Sequence, residues 1–189
     1  MRIFVGIDIN SGIKEKVAEI QEQLKLVDAD VRWVAKENLH LTLHFCGEVS
    51  DKKAQDIIQV CRGIASEVLP FTLEIKYVGT FPPYGDPRII WTGVEKGRDE
   101  AITLIEVTKR HLTLVTGVTE KKDISPHLTF GRIRTNRNIG VLTTQLHKLA
   151  NLGFGEQLVD KILVMESKLK PTGPVYSVLE EIKLGEFRK

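Results

Sequence analysis

Only two cysteines, Cys46 and Cys61, occur in 189 residues. They form no C-x-x-C spacing and have no second pair, which removes both a disulfide framework and a cysteine-built metal site. By pattern Cys46 falls at a strand end and Cys61 inside a helix, so both read as reduced, buried thiols of a cytoplasmic protein. Long apolar runs are missing as well. The opening Met1-Arg2-Ile3-Phe4-Val5-Gly6-Ile7-Asp8 meets an acid too early for a signal peptide, so neither export nor membrane insertion is expected. Net charge is small, at +2. That total does not announce nucleic acid, yet it does not exclude it, since a near-neutral total can hide a local basic patch. A Walker P-loop, a G-x-G-x-x-G loop and a G-x-S-x-G turn are all absent, which disfavours the familiar nucleotide-loop and serine-nucleophile designs.

What the chain does carry is one short pattern in three copies. His40-Leu41-Thr42-Leu43, His111-Leu112-Thr113-Leu114 and His127-Leu128-Thr129-Phe130 each contain His-x-Thr, and from 5 His and 14 Thr in 189 residues fewer than one is expected by chance. Secondary structure separates them. Leu39 to Phe45 and His127 to Ile133 read as strands, where residues two apart share a face about 6 to 7 Å from each other. Around His111, by contrast, Ala101, Ile102, Leu104, Ile105, Thr108, Leu112 and Val115 follow a helical repeat from about Arg98 to Val115. On a helix His111 and Thr113 diverge, so this third copy is expected to carry no chemistry.

The remaining elements are predicted as a strand over 1–8, a helix from about Gly12 to Leu26, and a short extended piece Val31 to Val34. A helix after Ser50-Asp51 stops before Pro70. Strands follow over Phe71 to Thr80 and Ile89 to Val94, around the Pro82-Pro83 loop. A helix from about Ile139 to Ala150 precedes a closing hairpin of Glu156 to Leu169 and Tyr176 to Leu184. Short β-β steps imply antiparallel pairing. The two motif strands begin 87 positions apart, close to half the chain. The expected fold is therefore α+β and bilobal, with two antiparallel-rich sheets and flanking helices in a pseudo-twofold arrangement around a central cleft. Residues 1–189 are expected to form one domain of two intimately packed lobes, each supplying one motif strand.

In the first motif strict alternation puts His40, Thr42 and His44 on one face and Leu41, Leu43 and Phe45 on the other. His127 and Thr129 likewise oppose Leu128 and Phe130. A histidine pair can supply one imidazolium as acid and one imidazole as base, and threonine hydroxyls can bind non-bridging phosphate oxygens. This is a kit for phosphoester chemistry with no metal and no cofactor. His40 and His44 are separated by about 13 Å of strand, awkward for one zinc ion, and no carboxylate or cysteine cluster completes such a site.

Val31-Arg32-Trp33-Val34, then Glu37-Asn38-Leu39-His40-Leu41-Thr42-Leu43-His44-Phe45-Cys46-Gly47-Glu48-Val49, Pro126-His127-Leu128-Thr129-Phe130-Gly131-Arg132 and Ser167 to Tyr176 together resemble the 2H phosphoesterase superfamily. More narrowly they resemble the RNA 2′,3′-cyclic phosphodiesterases of bacteria and archaea, also called 2′-5′ RNA ligases. The resemblance implies hydrolysis of an RNA 2′,3′-cyclic phosphate end to a 2′-phosphate, with His40 as proton donor to the leaving 3′ oxygen, His127 as acceptor from water, and Thr42 and Thr129 on the phosphate. It also implies RNA ends, tRNA halves among them, as substrate, and a monomer is expected. Arg132 is a further substrate-binding candidate, although only a bulge or the strand's end would bring it to the face of His127, and His44 is another on its parity. Trp33, Trp91 and Tyr84 are candidates for stacking on a terminal base. A 2′-5′ ligase, a nucleotide cyclic phosphodiesterase and a non-catalytic RNA-end binding module remain as alternatives.

Overall fold

A computed structural model of the chain describes residues 1–119, 124–171 and 173–185. Nine strands and four α-helices alternate along it. They are β1 (Arg2–Asp8), α1 (Ser11–Lys25), β2 (Val31–Trp33), β3 (His40–Glu48), α2 (Asp51–Glu67), β4 (Phe71–Phe81), β5 (Ile89–Val94), α3 (Arg98–Thr116), β6 (His127–Ile133), α4 (Ile139–Lys148), β7 (Gly153–Val159), β8 (Lys161–Lys170) and β9 (Gly173–Lys183), with a 3-10 turn at Lys36–Asn38 between β2 and β3. Side-chain caps start the first two long helices. Asn10 accepts from the Ile13 amide at 2.9 Å and Ser50 from the Lys53 amide at 3.3 Å, each satisfying a donor that the helix itself cannot. No helix among the described residues is long and apolar enough to cross a membrane.

The strands run in the order β7-β4-β5-β6-β3-β1-β8-β9, with β2 pairing β6, and every pairing is antiparallel. The α+β class and the antiparallel halves expected from the sequence are both present. The halves are joined into one continuous sheet between β6 and β3, where the register rests on Leu41 opposite Leu128. The two motif strands are thus immediate neighbours at the centre of the sheet. Leu41 and Leu128 are fully buried, and α3 packs beneath β3, so the leucine side of both motifs faces the core.

One boundary differs from expectation. The stretch read as a single strand over 156–169 breaks at Asp160 into β7, at one edge of the sheet, and β8, which lies next to the other edge. Neither glycine nor proline marks the break, and the polar pair Asp160-Lys161 is its only local sign, so the long-range pairing of β7 with β4 and of β8 with β1 is what reveals it.

Candidate active site

Because Leu41 stands opposite Leu128 in an antiparallel pair, His40 falls opposite Thr129 and Thr42 opposite His127. All four are half-buried on the face away from the core. They form a quadrilateral with the histidines on one diagonal and the threonines on the other. Diagonal neighbours in such a pair lie about 7 to 8 Å apart. That spacing leaves room for one tetrahedral phosphate between the two imidazoles, approached from opposite sides.

The ring orientations repeat as well. His40 Nδ1 bonds the Asn38 carbonyl at 2.7 Å, and His127 Nδ1 bonds the Ser125 carbonyl at 2.6 Å, in each case two residues back along the chain. A carbonyl only accepts, so Nδ1 carries a proton in both rings and Nε2 is the atom that exchanges one. Thr42 Oγ1 lies 2.9 Å from His40 Nε2, to which it donates when that ring is neutral. Aromatic rings complete each half. Phe4 and Tyr176 flank His40 at centroid distances of 4.7 and 5.3 Å, and Phe81 packs edge-on against His127 at 5.1 Å.

A β-bulge in each motif strand decides which neighbours join the cleft. On β6 the register with β5 steps from Trp91 opposite Thr129 to Ile90 opposite Gly131, so Phe130 is the extra residue. The alternation then restarts, and Arg132 comes to the cleft side, exposed. On β3 the step from Gly6 opposite Thr42 to Val5 opposite His44 makes Leu43 the extra residue. Here the same device works against the sequence reading. His44 turns to the core side at 1% exposure, so it does not line the cleft as alternation predicts, and Phe45 turns out at 49% instead.

Of the aromatic candidates, Trp91 lies on the cleft side beside Thr129 and stacks on Phe81 at 5.0 Å. Its ring lies across Gly79, where an added Cβ would sit 2.4 Å from it, so that glycine makes the platform possible. Trp33 stacks instead on buried Phe130 from the core side, and Tyr84 is 89% exposed in the loop between β4 and β5. His111 is engaged within α3, its Nδ1 bonding the Val107 carbonyl at 2.9 Å. Both cysteines are buried and outside any disulfide, and burial pushes the Cys61 thiol up to about 12.

Residues 7–91 match the family described as LigT-like phosphoesterase. An RNA 2′,3′-cyclic phosphodiesterase of Methanocaldococcus jannaschii is 35% identical over 183 residues, covering 96% of this chain and 99% of that protein. One from Aquifex aeolicus is 33% identical over 187 residues and 98% of both. The chain belongs to this LigT-like, or 2H, phosphoesterase family. Its fold agrees. A Thermus thermophilus crystal structure superposes with a TM-score of 0.81 at 25% identity over 98% of both chains, and Escherichia coli LigT with 0.77 at 22% over the same share.

In this LigT-like phosphoesterase the surroundings of His40 act on its protonation. Burial lowers its pKa below the usual histidine value, the Asn38 carbonyl and Asp8 oppose that shift, and Lys14 and Arg132 add to it. The bulge at Phe130 is what puts exposed Arg132 on the cleft side of β6. Tyr176 is raised by burial, against the pull of Arg132, Arg2 and Arg32. Sequence reasoning assigned no role to Phe4, Phe81, Tyr176, Asn38 or Gly6. Only Gly6 left a signal, as a glycine inside a strand: an added Cβ would sit 2.9 Å from the Leu41 carbonyl and 3.5 Å from the His40 ring.

Proposed function

We propose that this chain opens the 2′,3′-cyclic phosphate at an RNA end by metal-independent acid–base catalysis, leaving a 2′-phosphate. The observation that carries the reading is the diagonal placement of two Nδ1-anchored imidazoles across one phosphate-sized gap. Water attacks phosphorus and gives its proton to Nε2 of His127, while Nε2–H of His40 protonates O3′ as the P–O3′ bond breaks. Proton exchange with solvent resets both rings. Thr42 and Thr129 hydroxyls donate to the non-bridging oxygens, where charge must be held through the transition state. Arg132 supplies positive potential from the same side, and the Phe81–Trp91 platform offers a face on which the terminal base stacks. The relatives' names supply the substrate class. An RNA 5′-hydroxyl taking the place of water would form a 2′-5′ linkage by the same proton movements.

The test is an EDTA-treated protein offered cyclic mononucleotide, a cyclic-ended oligoribonucleotide, and tRNA halves together. Turnover of the cyclic-ended RNA without added metal is the expected result. Tight RNA binding without turnover would instead make the chain an RNA-end binding module, and a strict metal requirement would overturn the mechanism.

A pH dependence follows from the state of His40. It must be protonated to donate, yet burial holds its pKa in the empty site below about 6.5, the ordinary value. The alkaline limb of kcat/KM, which reports the free protein, is therefore expected below that value. Bound phosphate, being anionic, favours the imidazolium, so the limb of kcat lies at higher pH. Coincident limbs at or above the ordinary histidine value would contradict this.

A further inference from the structure

Where β3 leaves the edge of β6, β2 takes its place. Val31, Arg32 and Trp33 pair with Ile133, Arg132 and Gly131, which sets Arg32 directly opposite Arg132. Both arginines are exposed, and Trp33 packs toward the core, so the two guanidinium groups share the cleft side with the four motif residues. Like charges facing each other across a strand pair are destabilising. Nearby arginines are neutralised: Arg134 pairs with Asp30 at 2.7 Å and Arg137 with Asp28 at 3.0 Å. Among the described residues no carboxylate does the same for Arg32 or Arg132.

The start of β9 lies against this end of the cleft. Asn38, whose carbonyl orients His40, donates through its side chain to the Pro174 carbonyl at 2.8 Å. The Arg32 guanidinium lies 3.3 Å from where a Cβ on Gly173 would be. Arg132 stands one strand step beyond Thr129 once the bulge at Phe130 is allowed for, about 6 to 7 Å along β6. An anion held between the two guanidiniums is thus beside the reacting phosphate rather than on it. Paired planar forks suit a phosphodiester's two free oxygens.

We propose that Arg32, with Arg132, holds the internucleotide phosphate that precedes the terminal nucleotide, so that the site selects the end of an RNA chain over a cyclic mononucleotide. This rests on the reading of the motif residues as a cyclic phosphodiesterase site and extends it to the next phosphate. The structural cost of the arginine pair is relieved when that phosphate arrives.

The test is a cycle of protein against substrate charge. Two diribonucleotides ending in a 2′,3′-cyclic phosphate are compared, one with a natural linkage and one with an uncharged methylphosphonate. Wild-type protein is expected to favour the charged linkage by about 10- to 100-fold in kcat/KM, the worth of one charge-assisted contact. Arg32→Gln is expected to abolish that preference, and Arg32→Lys to keep part of it by retaining charge without the fork. Equal use of both linkages by the wild type, or an unchanged preference in Arg32→Gln, overturns the subsite alone. If the wild type hydrolyses neither, the cyclic phosphodiesterase reading fails and the subsite falls with it.

Discussion

Replacing either His40 or His127 by alanine is expected to lower kcat on a cyclic-ended RNA by about 10² to 10⁴-fold, the range for a positioned general acid or base. The double variant should lose little more than the worse single one, because acid and base act in one transition state. His111→Ala serves as the control, since that ring is bonded to its own helix carbonyl and lies on α3 rather than on the motif strands. The fold should survive these changes. Both rings sit half-buried at the cleft, so their removal opens space toward solvent instead of a closed cavity in the core. Circular dichroism and melting temperature check that point, and steady-state kinetics the rest. Comparable losses in all three single variants would mean that the pairing of β3 with β6 has no catalytic meaning.

Leu41→Ala is expected to give the largest stability loss tied to the site. Leu41 is fully buried and faces fully buried Leu128 at the register pair that joins the two halves of the sheet. Truncation removes the side chain's transfer free energy and leaves a cavity, together about 2 to 5 kcal/mol. In a chain of this size that corresponds to a fall in Tm of about 4 to 20 °C. The consequence reaches the chemistry, because the leucine pair fixes which histidine stands opposite which threonine. A misplacement near 1 Å costs about 10²-fold in rate. Activity of Leu41→Ala well below its melting temperature should therefore also fall, while Leu41→Met, close in volume, should restore most of both. Leu114→Ala, at a position 82% exposed, should change stability by no more than about 0.5 kcal/mol. Calorimetry separates the cases. A Leu41→Ala variant as stable as Leu114→Ala would contradict the role given to the pair.

Much of the site was legible because strand parity is a local property. His40 and Thr42 share a face in any extended strand, as do His127 and Thr129, and the helical repeat around His111 set the third copy aside without any tertiary information. The fates of His44 and Arg132 were not legible. Each depends on one extra residue, Leu43 or Phe130, that looks like an ordinary inward-facing apolar position until its strand is paired. The bulges are also what make the two strands alike beyond their motifs. After each, the next cleft-facing side chain is the third past the threonine, Phe45 in one strand and Arg132 in the other.

The break at Asp160 was hidden for a related reason. Its cause is the choice of partners on the two sides of a nine-stranded sheet, and Asp160-Lys161 is a weak local announcement of it. The anchors of the two rings were equally invisible, since the Asn38 and Ser125 carbonyls are main-chain atoms that any residue would supply. Gly6 and Gly79 were visible as glycines inside strands, but which ring needed the space became clear only from the packing.

The central claim is that His40 and His127 act from opposite sides of one cyclic phosphate without a metal. It is tested most directly by following a cyclic-ended oligoribonucleotide by phosphorus NMR in ¹⁸O-labelled water with EDTA present. The account predicts a single new resonance, a 2′-monophosphate carrying one labelled oxygen, formed by wild-type protein and abolished or nearly so in His40→Ala and His127→Ala. A 3′-monophosphate product, or undiminished hydrolysis in either variant, would contradict it.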